Sequence, residues 1–310
     1  MSTLQLIYYG APGTGKSYTV DNLNEIRSVP DEQIYRTTFH PEYTYSDFTG
    51  QILPVVKDGI ITYDYQCGVF TNALKEAYKD SSKQVYLIIE EMSRGNVASI
   101  FGDIFQLLDR NDKNVSRYPI RNSVIAHEIP QIDDDDDLIY LPANFNIFGT
   151  VNINDQNVFV MDTAFKRRFD WQYIPTDPVI NEDGTIFDDD NVEIKIYSND
   201  GDLTINWHNL YMKLNSFITD RNSGLGLGED KQIGQFFIQF SKNMSKEIIQ
   251  DKIKNKLMQY LWNDVESSAY GSHEKLFINE INNYSDLYRR FENSEQVFSD
   301  AFLFLFSDDN

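Results

Sequence analysis

The stretch GAPGTGKS, residues 10–17, follows directly on a short apolar run, LQLIYY (residues 4–9), and its reading decides the fold. Four of its eight residues are Gly or Pro, poor formers of helix or strand. Without a Cβ at Gly10, Gly13 and Gly15 the chain can curl and point successive N–H groups at one anion. The segment KSYTVDNLNEIR (16–27) reads as a helix that presents its positive N-terminal end to the same point. In this pattern Lys16 reaches the β- and γ-phosphates and the Ser17 hydroxyl holds Mg²⁺. The apolar run reads as a buried strand, so the setting is strand–loop–helix. The nucleotide-binding stretch is therefore assigned to Gly10, Ala11, Pro12, Gly13, Thr14, Gly15, Lys16, Ser17 and Tyr18. A Gly-rich turn without a ligand is the blander reading, and the complete G-x-x-x-x-G-K-S pattern in this setting argues against it.

Working outward, 310 residues suffice for one large domain or two modest ones, and 41% hydrophobic residues are those of a folded globular chain. No stretch reaches the ~18 apolar residues of a membrane-spanning helix, and no signal-peptide pattern opens the chain. The single cysteine, Cys67, excludes an intrachain disulfide and points to a cytoplasmic protein. With 48 acidic against 27 basic residues, the net charge of −21 disfavours broad electrostatic binding of a phosphate backbone. DNA is therefore expected only through partners or an assembled ring. The acidic runs DDDDD (133–137) and NEDGTIFDDDN (181–191) lack the spacing of a Ca²⁺ loop and read as solvated loops. The four histidines are too scattered for a metal-ligand spacing, so Mg²⁺ is the only cation expected.

Strands and helices alternate through the first two thirds of the chain. QIYRTTFH (33–40), QVYLIIEE (84–91), NFNIFGTVN (144–152) and FDWQYIP (169–175) read as strands, the middle two apolar enough to be covered on both faces. GIITYDY (59–65) reads as a hairpin strand. GVFTNALKEAYKD (68–80) and NVASIFGDIFQLLDR (96–110) have helical period, and DTAFKRRF (162–169) reads as a short helix. This alternation predicts an α/β fold with a parallel sheet covered on both faces. From residue 206 the period becomes helical throughout, in NWHNLYMKLNSFITDR, IGQFFIQF, SKEIIQDKIKNKLMQYLWNDV and SEQVFSDAFLFLF. The expected domains are thus 1–205, a nucleotide-binding α/β subdomain with an acidic hairpin insertion near 178–204, and 206–310, an all-helical lid.

The strand ending at residue 91 delivers two acids, Glu90 and Glu91, to the sheet edge where α/β proteins bind ligands. One acid is suited to Mg²⁺ and the other to orienting an attacking water. Asn152, at the end of the next strand, is placed to hold that water or the γ-phosphate; a strand-end turn is the equally simple reading. KRRF (166–169) has two readings as well. Its cations suit a helix C-terminus, or Arg167 or Arg168 is a finger that reaches a neighbouring subunit's phosphates.

Taken in order, GAPGTGKS, TTFHPEYTYSDFTG, YLIIEEMSRGNVASIFGDIFQLLD, LPANFNIFGTVNINDQNVFVMDTAFKRRF and LGLGEDKQIGQFF resemble the AAA+ NTPase module of McrB-type restriction systems, over roughly residues 5–262. The resemblance implies a sheet of order 5-1-4-3-2 and a hexameric ring that hydrolyses GTP. It also implies a partner, a McrC-like endonuclease that cuts modified DNA. By the same match Lys16 and Ser17 bind phosphate and Mg²⁺, Glu90 takes the metal-side acid position and Glu91 the catalytic one. Asn152 and Asp155 fall on the Asn and Asp of the family's MNTADR motif, Arg167 and Arg168 on its finger pair, and Arg94 on a further Arg near the nucleotide. Three departures stand out: Glu90 replaces an Asp, Gln156 replaces the Arg of MNTADR, and Gln235 stands where a His is usual. Two other functions fit parts of the pattern. One is a MoxR-like ATP-dependent protein remodeller, the other a nucleotide-binding scaffold without hydrolysis.

Overall fold

The computed structural model describes residues 5–133, 136–152, 159–181, 183–271 and 274–307. Its strands are β1 (Gln5–Gly10), β2 (Ile34–Thr38), β3 (Gly50–Lys57), β4 (Ile60–Cys67), β5 (Val85–Glu90), β6 (Ile120–Arg121), β7 (Leu138–Ile139), β8 (Phe145–Asn152), β9 (Asp170–Tyr173), β10 (Glu193–Ile196) and β11 (Leu203–Asn206). The chain divides into two compact units. One holds residues up to Tyr9 together with Lys16–Tyr173; the other holds Gly10–Gly15 and the chain from Ile174 onward.

The first unit is built on a five-stranded sheet of order β2-β5-β8-β1-β9. Counted among themselves along the chain these strands stand 2-3-4-1-5, or 5-1-4-3-2 from the other edge. β2 with β5, β5 with β8 and β1 with β9 all pair in parallel. The apolar run VYLII of β5 is buried at every position, as expected of a central strand covered on both faces. Helix Val69–Lys79 buries Phe70, Ala73, Leu74 and Ala77, spaced i, i+3, i+4, i+7, in the core shared with Leu87, Ile89 and Phe145. Thr44 and Asp47 close a reciprocal capping box over helix Tyr45–Thr49, which carries Phe48 into the same core. The hairpin strand expected near 59–65 is β4, and its partner is β3, register Gly50↔Cys67 to Lys57↔Ile60.

Two expected helices are interrupted here. The segment after the phosphate loop forms two short helices, Lys16–Asp21 and Asn24–Arg27, rather than one. The segment 96–110 is helical only to Phe101 and continues as a 3₁₀ helix from Gly102 to Leu108. Gly102 has φ +48°, and a Cβ there would lie 2.9 Å from the Tyr45 ring, so the break is where the chain turns tightly beneath that side chain.

In the second unit β10 and β11 pair antiparallel, register Glu193↔Asn206 to Ile196↔Leu203. Helix Trp207–Thr219 buries Leu210, Tyr211, Leu214, Phe217 and Ile218 against Ile253, Leu257 and Leu261 of a helical run over residues 246–268. Helices Tyr284–Glu292 and Asp300–Phe304 complete that core through Leu287, Phe291 and Phe302. IGQFFIQF, expected as helix, makes only a 3₁₀ turn, Gln235–Phe237, between extended residues. Its amides are used elsewhere: Gly234 N donates to Pro12 O at 2.9 Å and Phe236 N to Gly13 O at 2.8 Å.

Candidate nucleotide site

In the first unit, parallel pairing brings the ends of β5 and β8 together and sets the acids of β5 beside polar residues of β8. Ser17, in the first turn after the phosphate loop, donates its hydroxyl to Glu90 Oε2 at 2.8 Å. Thr150 of β8 donates to the same oxygen at 2.5 Å, while Arg36 of β2 pairs with Oε1 at 2.6 Å and also with Asp21. The three partners of the Glu90 carboxylate thus stand on two strands of the sheet and on the first helical turn.

Glu91 follows with φ +52° and ψ 41°, a left-handed backbone conformation that a residue with a Cβ rarely adopts. Such conformations persist where surroundings enforce them, commonly at functional sites. Here the Glu91 N–H donates to Thr150 Oγ1 at 3.1 Å, and the turn aims the carboxylate at two cationic or amide donors. Asn152 Nδ2 lies 3.2 and 3.1 Å from its two oxygens, and Arg94 Nε lies 3.0 Å from Oε2. Five residues singled out from sequence, Ser17, Glu90, Glu91, Arg94 and Asn152, are therefore in one connected cluster.

The phosphate loop itself belongs to the second unit. Gly13 and Gly15 have φ +79° and +86°, left-handed values that favour glycine. A Cβ on Gly13 would sit 2.3 Å from Phe237 N, so the glycine is also required by the close approach of residues 234–237. Thr14 is buried and turns its hydroxyl to Ala11 O at 3.0 Å, closing the loop on itself. Lys16, which follows it, is buried too, whereas Tyr18 is exposed.

KRRF separates into two unlike arginines. Arg168 is only 9% exposed, donates from Nε and Nη2 to Asp109 Oδ2 at 3.2 and 2.6 Å, and lies 4.0 Å over the Phe105 ring. Arg167 is 66% exposed, and its guanidinium reaches Asp109 only at 4.0 Å. Asp155 and Gln156 lie outside the described residues. Gln235 is 1% exposed and its amide is bound within the second unit.

Sequence reasoning missed Arg36, Thr150 and Asp109. Thr150 carried a signal, a lone hydroxyl in an apolar strand; Arg36 and Asp109 carried none, because their partners lie 54 and 59 residues away.

The Ser17 and Glu90 oxygens suit Mg²⁺. Adjacent ligands at ~2.0–2.1 Å in octahedral geometry lie about 2.9 Å apart, and Mg²⁺ characteristically takes one or two protein oxygens beside substrate phosphates. The 2.8 Å between the two oxygens matches that spacing, with the Ser17 hydroxyl proton turning aside when a cation binds. Among the described residues there is no cluster of three or more His, Cys, Asp and Glu that could hold another metal, and no helix long and apolar enough to cross a membrane.

Comparison with known proteins agrees with this construction. Residues 5–169 match the AAA domain (dynein-related subfamily). The chain is 32% identical over 327 aligned residues to the type II restriction enzyme BsuMI component YdiS of Bacillus subtilis (strain 168), covering 94% of this chain and 87% of that one. It is 26% identical over 166 residues to the type IV methyl-directed restriction enzyme EcoKMcrB subunit of Escherichia coli (strain K12), covering 53% of this chain and 34% of that protein. With a strand–loop–helix phosphate motif, paired acids on the third strand of the sheet and these relatives, the chain belongs to the AAA domain family, dynein-related subfamily, as a McrB-like restriction-system member.

Proposed function

We propose that this chain hydrolyses GTP or ATP with Mg²⁺ and acts as the motor subunit of a restriction system, driving a McrC-like endonuclease against modified DNA. The observation that carries the reading is the division of labour between two neighbouring carboxylates. Glu90 is drawn to Ser17, Thr150 and Arg36, and Glu91 is drawn to Asn152 and Arg94. Two acids with separate sets of partners can hold separate roles.

Ser17 and Glu90 would hold Mg²⁺, which supplies charge compensation for the phosphates. Lys16 supplies a further cation to the β- and γ-phosphates. Glu91 takes the proton of the attacking water as the phosphoryl group transfers, and the Asn152 amide fixes the orientation of that carboxylate. Arg94, paired with Glu91 at 3.0 Å, keeps the carboxylate aimed. Asp155 belongs to the same strand-end segment and is assigned to the site by its motif alone.

Arg167 is the better finger of the two arginines, since Arg168 is spent on Asp109. A finger acting in trans requires a neighbouring copy, and a head-to-tail interface of this kind repeats until it closes into a ring, here taken as a hexamer. The relatives support the restriction role by name only, one as a component and the other as a subunit of a restriction enzyme.

The test is turnover of GTP against ATP, with and without a McrC-like endonuclease and methylated DNA. GTP or ATP hydrolysis that licenses DNA cleavage upholds the proposal. ATP turnover that never licenses cleavage favours the protein-remodelling reading, and binding without turnover favours the scaffold.

A further inference from the structure

The resemblance to McrB-type modules would put a His where Gln235 stands, and the structure buries the Gln235 side chain. Its Nε2 donates to Asp190 Oδ1 at 2.9 Å and to Phe187 O at 3.0 Å, and its Oε1 accepts from Val179 N at 2.7 Å. Asp190 is buried as well. His208 Nε2 lies 3.1 Å from the same Oδ1, and Oδ2 has no partner. Removing Gln235 would leave that carboxylate with His208 alone.

The main chain around Gln235 is held with equal care. Trp207 Nε1 donates to Gln235 O at 2.7 Å. The Asn215 side chain binds Ile233 both ways, Nδ2 to the carbonyl at 2.7 Å and Oδ1 from the N–H at 2.9 Å. What this clamped segment presents is two N–H groups, those of Gly234 and Phe236, which take the carbonyls of Pro12 and Gly13. Both bonds fall on the phosphate loop, where Gly13 and Gly15 hold left-handed conformations. Turning the Pro12 and Gly13 carbonyls onto residues 234–236 fixes the peptide planes of the loop, and so fixes where its N–H groups point.

We propose that Gln235 is a positioning residue for nucleotide binding. Its buried amide holds residues 233–237 in the shape that seats the phosphate loop, and the loop is competent for phosphate only on that seat. This rests on the nucleotide reading of the loop given above, and it adds that affinity is set in part by side chains that touch no nucleotide.

The same unit contains a matched control. Gln296 is buried and makes the same pattern of bonds: Nε2 to Phe298 O at 3.1 Å and to Asp300 Oδ1 at 2.8 Å, with Oε1 accepting from Asn199 N at 2.9 Å. None of these partners belongs to residues 10–17 or 233–237. Two readings on the full chain decide the matter: the Kd for GTP and ATP with Mg²⁺ by calorimetry, and amide hydrogen exchange at residues 13–16 without nucleotide. Gln235→Ala is expected to weaken both nucleotides by about tenfold or more, the equivalent of one buried bond, and to speed loop exchange by a like factor. Gln296→Ala is expected to lower the melting temperature comparably and to move neither reading. Should Gln235→Ala fail to fold, Gln235→Asn, with its amide one methylene short, is read in the same way. If the Gln235 variants lose stability as Gln296→Ala does but keep wild-type affinity and loop exchange, Gln235 is a core residue and the proposal is overturned. If the wild-type chain binds neither nucleotide, the reading of the site falls, and loop exchange still decides the seat.

Discussion

Two polar clusters, one in each unit, are built in opposite ways. In the first, Ser17, Arg36, Glu90, Glu91, Arg94, Thr150 and Asn152 bond side chain to side chain, and several stay partly open to solvent. In the second, Gln235, Asn215, Asp190, His208 and Trp207 are buried, and most of their bonds end on main-chain groups. The difference teaches what each cluster is for. A side-chain network at a sheet edge can exchange partners when a ligand arrives, whereas buried side chains bonded to backbone fix the path of the chain, because breaking them strands a desolvated group. Substitutions in the first cluster should therefore cost chemistry, and substitutions in the second should cost stability, with nucleotide affinity lost as well at Gln235, which seats the phosphate loop.

The largest effect is expected at Lys16, the last residue but one of the phosphate-loop motif. Lys16→Ala removes the cation proposed to meet the β- and γ-phosphates, so calorimetry should show triphosphate binding lost outright. Retained affinity would remove the nucleotide assignment of residues 10–17. Next comes Glu91→Gln, which keeps shape and removes the proton acceptor. Turnover should drop by about 10²–10⁴-fold with nucleotide binding and melting temperature preserved. A loss of stability in place of turnover would place Glu91 with the structural cluster.

The arginines of KRRF sharpen the contrast within a single tetrapeptide. Arg167→Ala should abolish most turnover in the assembled protein, since fingers elsewhere contribute ~10³–10⁵ in rate, and leave stability nearly untouched. Arg168→Ala should destabilise by about 1–3 kcal/mol, because it strands the Asp109 carboxylate and uncovers Phe105. Mixing Arg167→Ala chains with Lys16→Ala chains should restore part of the activity, as some interfaces then pair a good loop with a good finger. A mixture that stays inactive while both variants assemble would leave Arg167 as a helix-terminal charge. The smallest effect is predicted for Thr44→Ala, which belongs to neither cluster. It breaks the capping box of helix Tyr45–Thr49 and should cost about 1 kcal/mol in denaturant titration, with kinetics unchanged.

Much of this was legible one segment at a time. β5 and β8 announced themselves as apolar runs of strand length, and Glu90 and Glu91 announced their place by ending one of them. The glycine spacing of residues 10–17 pointed to the phosphate loop, and the helical period after residue 206 matches the helices Trp207–Thr219, Lys246–Lys252 and Asp300–Phe304. IGQFFIQF was misread because its apolar spacing fits a helix, while its amides were needed by Pro12 and Gly13, more than two hundred residues earlier.

Sequence by itself thus determined what local periodicity and short motifs encode: which segments are buried strands, which are amphipathic helices, and where a backbone can curl round an anion. The tertiary structure alone decided which polar side chains meet. Arg36 reaches Glu90, Arg168 is drawn to Asp109 while Arg167 stays exposed, and Gln235 turns inward to Asp190. The reason is physical. Burial follows from the hydrophobicity of neighbouring residues and leaves a periodic trace along the chain. A buried hydrogen bond depends on the relative placement of two elements, and that placement is fixed only when the cores they belong to have packed.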